Sequence, residues 1–227
     1  MENNATNKFW GVSPHQRPGR LTTEVQRLRL MLGITRVISR KSYADATVAD
    51  ILEDVRVSRR TFYENFKDKD DCFLAAYESA HRALVQSIRR SQKGERDPLK
   101  RIILAHQAYL NFFAEEAEVG IAIMKGLYSG SPRITKRYQE ALGEFATLLQ
   151  TLHYQCIQQH SELTPAPEKT YEGLVYGIHQ LLLSELTSTE NRNLQKILPS
   201  ILYLTYSVFG LPDLAREAAL SSAAEVS

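Results

Sequence analysis

The chain has 227 residues, of which 43% are hydrophobic and 24% are charged. This composition argues against disorder and predicts a globular protein of one or two domains with a sizeable core. No apolar run approaches the roughly 18 residues of a membrane span, and the polar N-terminus is no signal peptide. We therefore expect a cytoplasmic protein with no membrane partner. Two cysteines are too few for a disulfide framework.

The net charge of +2 is unevenly distributed along the chain. Residues 1–70 contain 13 Lys or Arg against 9 Asp or Glu, whereas the rest of the chain contains 15 against 17. The basic excess therefore lies in the N-terminal third, where it would favour contacts with phosphate groups.

The first twenty residues predict an extended cationic arm. Pro14, Pro18 and Gly19 exclude a regular helix, and Arg17 and Arg20 add positive charge. Such arms can lie in the minor groove of DNA, where narrow A·T-rich stretches concentrate negative potential around inserted Arg. The alternative is a passive tail with incidental charge, since chain termini are usually poorly ordered. The sequence leaves both interpretations open.

An apolar helix is predicted over residues 28–38, followed by a short helix that begins after Thr47. Thr47 is a suitable N-cap, and Asp50 lies three positions on, as in a capping box. The inward apolar stripe of this short helix consists of Val48, Ile51, Leu52 and Val55.

A second short helix follows after a tight turn. Ser58 can cap it, and Phe62 and Phe66, four residues apart, lie on one face. Arg60 and Glu64 then point almost directly away from that face, flanked by Thr61 and Tyr63. A short helix that buries two Phe and displays polar groups outward fits the second helix of a helix-turn-helix, which enters the major groove.

These residues form a specific ordered motif, V-S-x-x-T-x-Y-x-x-F-x-x-K, made of Val57, Ser58, Thr61, Tyr63, Phe66 and Lys69. The motif resembles the DNA-binding domain of the TetR (tetracycline-repressor) family of bacterial transcriptional regulators, over roughly residues 25–80. Where the family usually has Gly, this chain has Ser42 and Arg56. If Arg56 adopts a positive φ in the turn, the cost is on the order of 1–2 kcal/mol. A helical hairpin whose Tyr and Phe merely fill a core is the alternative interpretation.

The resemblance implies how the second helix would contact an operator. Arg60 would read a base edge, most simply guanine, while neighbouring side chains fix the helix on the phosphates. Glu64 could accept from cytosine or could pair with Arg60 in the free protein. The predicted DNA-binding residues are Arg17, Arg20, Thr47, Ser58, Arg59, Arg60, Thr61, Tyr63, Glu64, Lys67 and Lys69.

Beyond the motif the pattern is helical throughout, with no alternating strand signal. Helices are expected over roughly 69–91, 98–113, 116–127, 134–160, 168–187 and 194–210, with Pro199 kinking the last or resetting its start. The tail after Asp213 is expected to be a short helix or disordered. The predicted fold is all-α, with an arm (1–20), a three-helix helix-turn-helix domain (21–68), a helical ligand-binding and dimerisation domain (69–212) and a C-terminal tail (213–227).

The resemblance further implies that the helical domain binds a small effector. Ligand pockets are mostly apolar with a few polar groups that fix orientation. Each aromatic residue taken singly is equally consistent with simple core packing. The candidate pocket residues are His106, Tyr109, Phe112, Phe113, Met124, Tyr128, Phe145, Tyr176 and His179.

The helix over 168–187 carries Gly173 and Gly177 four residues apart, a ridge that would let another helix approach closely. The neighbour could lie within the subunit, or it could belong to a second copy, since the family's last two long helices pair across a two-fold axis. A dimer would also present two recognition helices to a palindromic operator. The candidate interface residues are Gly173, Gly177, Leu174, Gln180, Ser184, Ile201, Leu202 and Val208.

One further cluster has metal-ligand residue types. His153, Cys156 and His160 fall within about 60° of one another on a helix. Three such residues without a CxxC or HExxH motif are more typical of a satisfied or solvated helix face, so we predict no metal and no cofactor.

The sequence leaves three classes of function to compare. The motif and the helical domain agree best with a ligand-responsive homodimeric regulator. We expect it to be a repressor that is associated with the nucleoid and is released or repositioned by its effector. A helical DNA-binding or architectural protein without an inducer is the alternative, and the near-neutral overall charge argues against it. An enzyme is disfavoured because no Gly-rich phosphate loop, nucleophile elbow or paired-carboxylate motif is evident.

Overall fold

A computed structural model describes residues 23–129, 131–188 and 193–224. Within these ranges the chain forms α-helices and one 3₁₀ turn, without a β-strand, so the all-α prediction is confirmed. The helices are α1 (Thr23–Arg40), α2 (Val48–Val55), α3 (Arg59–Asn65), α4 (Lys69–Ser91), α5 (Pro98–Glu115), α6 (Ala117–Ser129), α7 (Pro132–Gln159), α8 (Glu168–Thr187), α9 (Leu198–Val208) and α10 (Pro212–Ala224). The 3₁₀ turn covers Leu194–Ile197, before α9.

Two sequence ambiguities at the C-terminal end are resolved. Pro199 lies in the first turn of α9, where its missing N–H costs nothing, so it resets the start of the helix and does not kink it. The expected tail is helical as α10, which packs against α9 and buries Ala215 and Ala218.

The described chain folds into two compact units. The first, which we call the motif unit, comprises residues 23–85 and 115–137 of the described chain. Its core contains the inward residues of α1 to α4, and α1 packs on α2, α3 and α6. Gly126 in α6 permits a close approach, because a Cβ added there would lie 2.2 Å from Cζ of Phe73.

The second unit, which we call the cavity unit, comprises residues 86–114 and 138–227. Its interior contains a buried imidazole, His153, whose ring stacks on Phe209 with centroids 4.1 Å apart. His153 Nε2 lies 3.1 Å from the carbonyl oxygen of Phe209, which only accepts, so Nε2 donates and Nδ1 accepts from the Tyr171 hydroxyl at 2.8 Å. This histidine is a packed structural residue, and burial lowers its pKa.

Candidate nucleic-acid interface and effector cavity

The first helix of the predicted helix-turn-helix begins with a complete capping box. The Thr47 backbone N–H donates to Asp50 Oδ2 at 2.9 Å, and the Asp50 N–H donates to Thr47 Oγ1 at 3.2 Å. Lys41 donates to the same carboxylate at 2.7 Å. The hydrogen bonds from Lys41 and Thr47 lower the pKa of Asp50 to about 2, so the cap is ionised at neutral pH.

The turn between α2 and α3 contains the left-handed residue that the sequence suggested. Arg56 has φ 52° and ψ 54°, and it has the only positive φ of a non-Gly residue in the described part of the chain. Without glycine at this position the turn is strained by on the order of 1–2 kcal/mol. A partner for the helix end comes from α1, because Arg29 Nη2 donates to the Val55 carbonyl at 2.6 Å.

The second helix, α3, shows the predicted division into a buried and an exposed face. Phe62 and Phe66 are 0% and 1% exposed, whereas Tyr63 is 53% exposed. Ser58 caps the helix by accepting from the Thr61 N–H at 3.1 Å. The exposed side of this segment carries Ser58, Arg59, Arg60, Tyr63, Glu64 and Lys67, with Thr61 half-buried at its margin.

Arg60 and Glu64 form an ion pair on this exposed side. Arg60 Nε lies 2.8 Å from Glu64 Oε1, and hydrogen bonding to that carboxylate raises the pKa of Arg60. Both side chains are largely exposed, so solvent screens the pair and DNA can displace it at little cost. In the free protein, Glu64 therefore pairs with Arg60, which is one of the two roles that the sequence left open for it.

Lys69 is engaged more strongly than the motif suggested. Its ammonium donates to the carbonyl oxygens of Tyr43 and Ala46 at 2.7 Å each, and it lies 4.3 Å from the centroid of the Tyr43 ring. The hydroxyl of Tyr43 in turn donates to Asp70. Because an ammonium has three N–H donors, one remains for an external phosphate. Lys69 therefore also fixes the start of α4 to the loop that precedes α2.

Sequence reasoning missed the arginines of α1 that support the two short helices. Arg27 donates to the Asn65 carbonyl at 2.7 Å, and its guanidinium lies 4.2 Å from the centroid of Phe66. Arg36 donates to Asp54 through Nε and Nη2 at 2.8 and 2.5 Å. Their spacing on α1 gave no local signal, because their partners are 18 to 38 residues away. Arg17 and Arg20 lie outside the described residues.

The cavity unit contains a partly open cavity of about 50 Å³. It is lined by Ile88, Ala105, His106, Tyr109, Phe145, Leu148, Leu149, Val175, Ile178 and His179. Four predicted pocket residues are therefore brought together: His106, Tyr109, Phe145 and His179. At about 10–15 Å³ for one water, the space holds a few waters or a small fragment, and a larger ligand would have to widen it.

The other five candidates do not line this cavity. Phe113 is buried and packs edge-on against Tyr109, Phe112 packs on Phe113, and Tyr176 is 43% exposed on the outer side of α8. Met124 and Tyr128 lie on α6 in the motif unit. The helical period of the sequence could not separate these aromatics, since it does not show which faces enclose a void.

Two histidines give the cavity its polar character. His106 Nε2 lies 3.0 Å from Thr205 Oγ1, and Tyr109 Oη lies 3.1 Å from His179 Nδ1. Burial lowers the pKa of each histidine to about 4. Both imidazoles are therefore neutral at physiological pH.

The outward side of α8 and α9 remains uncovered within the cavity unit. A Cβ built at Gly173 or Gly177 meets no atom within 4 Å outside the adjoining backbone of α8, so no neighbour in the described chain explains these glycines. Tyr176, Tyr203 and Leu204 are 43%, 45% and 36% exposed. Gln180 and Ser184 are also exposed, while Leu202 and Val208 are half-buried.

Two interface candidates need correction. Leu174 is 6% exposed and Ile201 is 0% exposed, so both side chains pack inside the cavity unit. Both side chains face the interior of the cavity unit, and a helical wheel cannot show this without knowing where the neighbouring helices lie. Tyr176, Tyr203 and Leu204 take their place on the outward side.

His153, Cys156 and His160 are not brought together as a metal site. Both ring nitrogens of His153 are used in the core, Cys156 is 0% exposed, and His160 lies beside Glu162. Burial raises the pKa of the Cys156 thiol to about 11, which makes it unreactive. Among the described residues no cluster of three or more His, Cys, Asp or Glu is placed to hold a metal ion.

Comparisons with known proteins agree with this geometry. Residues 31–76 match the family model described as bacterial regulatory proteins, tetR family. The HTH-type transcriptional activator FasR of Mycolicibacterium smegmatis is 22% identical over 127 residues, which are 56% of this chain and 58% of that protein. The match thus spans less than two thirds of the relative.

Solved structures share the fold at low identity. A bacterial regulatory protein in the tetR family from Rhodococcus RHA1 has a TM-score of 0.66 and 15% identity, over 81% of this chain and 96% of that chain. The fatty acid degradation regulator FadR from Bacillus halodurans has a TM-score of 0.68 and 14% identity, over 84% and 96%. In the described part of this chain, no helix is long and apolar enough to cross a membrane.

Proposed function

We propose that this chain, which belongs to the TetR family of bacterial regulatory proteins, is a homodimeric repressor that binds a palindromic operator and responds to a small-molecule effector. The observation that carries the proposal is α3, a capped helix with a buried Phe pair and an exposed polar face. We assign the DNA-binding domain to residues 21–68, an arm to 1–20, the effector and dimerisation domain to 69–212 and a tail to 213–227. The protein would act in the cytoplasm, associated with the nucleoid.

The assigned roles on α3 follow from exposure and hydrogen bonding. Arg60 is 88% exposed in its side chain and needs only to release Glu64 to reach a base edge. Tyr63 and Lys67 are exposed on the same segment and would contact the backbone phosphates. Lys69 would add one phosphate contact while its other two donors hold the loop before α2.

Dimerisation is supported by the uncovered side of α8 and α9. A helix interior glycine costs about 1 kcal/mol relative to Ala and needs a packing reason, and none exists within the described chain for Gly173 and Gly177. A second copy that lays its own helices on this surface would supply that reason and would cover Tyr203 and Leu204. A dimer would also supply two copies of α3, as the two half-sites of a palindromic operator require.

Gly177→Leu tests this surface directly. We expect the dimer to dissociate at concentrations where the wild type remains dimeric, measured by sedimentation velocity, because a Leu side chain would hold the two copies apart. Gly143→Leu is the matched control, since Gly143 is likewise open within the chain but lies on α7. An unchanged dimer in Gly177→Leu would show that the copies associate through another surface.

The cavity in the second unit supports an effector role. It is almost wholly apolar, and it lies in the part of the chain that the motif does not need for DNA contact. FadR, which shares the fold, is described as a fatty acid degradation regulator. We therefore propose an apolar effector of the acyl class, and we propose neither a cofactor nor a catalytic activity.

Activation is the alternative to the repression proposed here, because FasR is described as an activator. Selection of bound sequences from a random DNA pool would identify the operator and its position beside candidate promoters. Transcription in vitro from such a promoter would then fall with added protein for a repressor and rise for an activator.

The alternative of an architectural protein without an inducer predicts a different result. Thermal-shift screening with small apolar compounds should raise the melting temperature only if the cavity binds them. A response that also lowers operator affinity would support the regulator. No response in any compound class, together with DNA binding that lacks sequence preference, would favour the architectural protein.

A further inference from the structure

The cavity contains one buried polar group whose hydrogen bonding is incomplete. His179 lines the cavity, its Nδ1 lies 3.1 Å from the Tyr109 hydroxyl, and its Nε2 is buried without a hydrogen-bond partner among the described residues. Buried polar atoms in native proteins nearly always have a partner, so an unpartnered nitrogen in the wall of a cavity calls for one from a ligand or an ordered water.

The tautomer of His179 follows from acidity. The phenol hydroxyl is the stronger hydrogen-bond donor of the two groups and the unprotonated imidazole nitrogen is the stronger acceptor, so we assign the proton of this 3.1 Å contact to Tyr109, with Nδ1 accepting it. A neutral imidazole carries one N–H, which must then be on Nε2. The unpartnered atom is therefore a hydrogen-bond donor, and its missing partner is an acceptor.

The second histidine of the cavity cannot play the same part. The Thr205 hydroxyl donates to the Ile201 carbonyl at 2.8 Å, so its proton is already used. The 3.0 Å contact between His106 Nε2 and Thr205 Oγ1 must then be donated by His106. The single N–H of neutral His106 is thus used inside the protein, and among the described residues that line the cavity His179 alone keeps an imidazole N–H to donate.

The charge of the lining restricts the ligand further. No Lys, Arg, Asp or Glu is among the residues that line the cavity, and burial keeps both imidazoles neutral. A carboxylate bound there would be desolvated without a counter-cation, which strongly opposes binding. A neutral carbonyl oxygen would instead accept the His179 hydrogen bond without burying a charge.

We propose that the cavity selects an uncharged apolar ligand with a carbonyl oxygen, such as an ester, that accepts a hydrogen bond from His179 Nε2–H, and that it discriminates against the free carboxylate of the same chain. This inference rests on the proposed effector role, and it refines that role by separating an acyl ester from a fatty acid. The volume of the cavity, about 50 Å³ before any widening, favours a ligand with a short acyl chain.

Calorimetry with methyl hexanoate and hexanoate at pH 7.5 tests the discrimination on the full-length protein. We expect the ester to bind at least tenfold more tightly than the carboxylate. In ¹⁵N spectra of histidine-labelled protein, the Nε2–H resonance of His179 should move when the ester binds and should remain in place with hexanoate. Equal or tighter binding of hexanoate, or binding of neither compound, would overturn the proposal.

Two variants separate the hydrogen bond from the shape of the cavity. His179→Phe keeps a ring of similar size without a donor and should lose about tenfold in ester affinity, whereas His179→Gln retains an N–H donor and should recover part of it. Unchanged ester affinity in His179→Phe would show that the carbonyl does not contact this nitrogen. Circular dichroism and the melting temperature of each variant establish that it is folded before binding is measured.

Operator affinity distinguishes this inference from the proposed function. If the ester binds through His179 but leaves operator affinity unchanged, the ligand class stands and the effector role fails. If operator affinity responds to hexanoate and not to the ester, the effector role stands and the ligand class proposed here is wrong.

Discussion

The motif unit and the cavity unit use polar residues in opposite ways. In the motif unit the polar groups of α2 and α3 are exposed, ionised and close together in sequence, as in the capping box of Thr47 and Asp50 or the Arg60–Glu64 pair. In the cavity unit the informative polar groups are buried and neutral, and their partners are 70 to 99 residues away. A surface that contacts a polyanion benefits from fixed charge, whereas a cavity for an apolar ligand is weakened by it.

Acidification gives the largest effect expected from this difference. Burial holds the pKa of His106 and His179 near 4, below the usual 6.5. Between pH 4 and pH 6.5 the unfolded chain therefore binds more protons than the folded chain. The contribution of these two histidines to the free energy of unfolding is therefore fully present above about pH 6.5. It decreases as the pH falls towards 4, by about 1.4 kcal/mol per pH unit for each imidazole. The free energy of unfolding from urea titrations at several pH values measures this slope.

The motif unit should respond with the opposite sign over part of this range. Burial, with Glu115 and Glu118 nearby, raises the pKa of Glu116 to about 7, so the folded state takes up a proton as the pH falls from 7 and is stabilised. Hydrogen exchange should therefore show α8 losing protection before the residues around Glu116. His179→Phe should make the stability of the cavity unit less sensitive to acid. If both units lose protection equally on acidification, the two units do not differ in the way proposed here.

The next effect concerns close packing in the motif unit. Gly126→Ala should destabilise the protein by about 1–3 kcal/mol, because a Cβ at this position would lie 2.2 Å from the Phe73 ring, and buried rings move little. Gly143→Ala is the matched control, since its Cβ meets nothing within 4 Å and the change should stabilise α7 by up to about 1 kcal/mol. Thermal unfolding of both variants measures the contrast, and equal melting temperatures would contradict it.

Substitutions at Arg60 and Lys69 should separate sequence reading from positioning. Arg60→Ala should lose about 1–3 kcal/mol of preference for operator over non-operator DNA, because a base contact is removed. Lys69→Ala should weaken both kinds of complex alike and also lower the melting temperature, because two loop carbonyls lose their donor. Fluorescence anisotropy at fixed salt measures the affinities. Retained preference in Arg60→Ala would mean that another side chain reads the bases.

The motif unit could be predicted largely from sequence because its determinants are local. The cap of α2, the buried Phe62 and Phe66, the exposed Arg60 and the strained turn at Arg56 all follow from spacings of a few residues. The expected helix bounds lie within five residues of those in the structure for the same reason. The supporting contacts of Arg27 and Arg29 were missed, since each joins α1 to the end of a helix more than 25 residues away.

The cavity unit could be predicted only as a class of structure. Apolar residues at helical spacing established that helices were present, but they did not show which of nine candidates would face the cavity. The same limit explains Leu174 and Ile201, which have the right spacing for an interface and yet lie in the interior. Periodicity assigns residues to faces of one helix, and the position of the neighbouring helices decides which face is buried.

The smallest effect expected is at the turn between α2 and α3. Arg56 is held at φ 52°, a conformation that glycine adopts without steric cost. Arg56→Gly should therefore raise the free energy of unfolding by about 1 kcal/mol. Arg56→Ala keeps the strain while removing the same exposed charge, so it should leave stability nearly unchanged, and urea titrations of the two variants isolate the backbone contribution. If both substitutions have the same effect on stability, the side chain of Arg56 and not its left-handed backbone determines the cost of this turn.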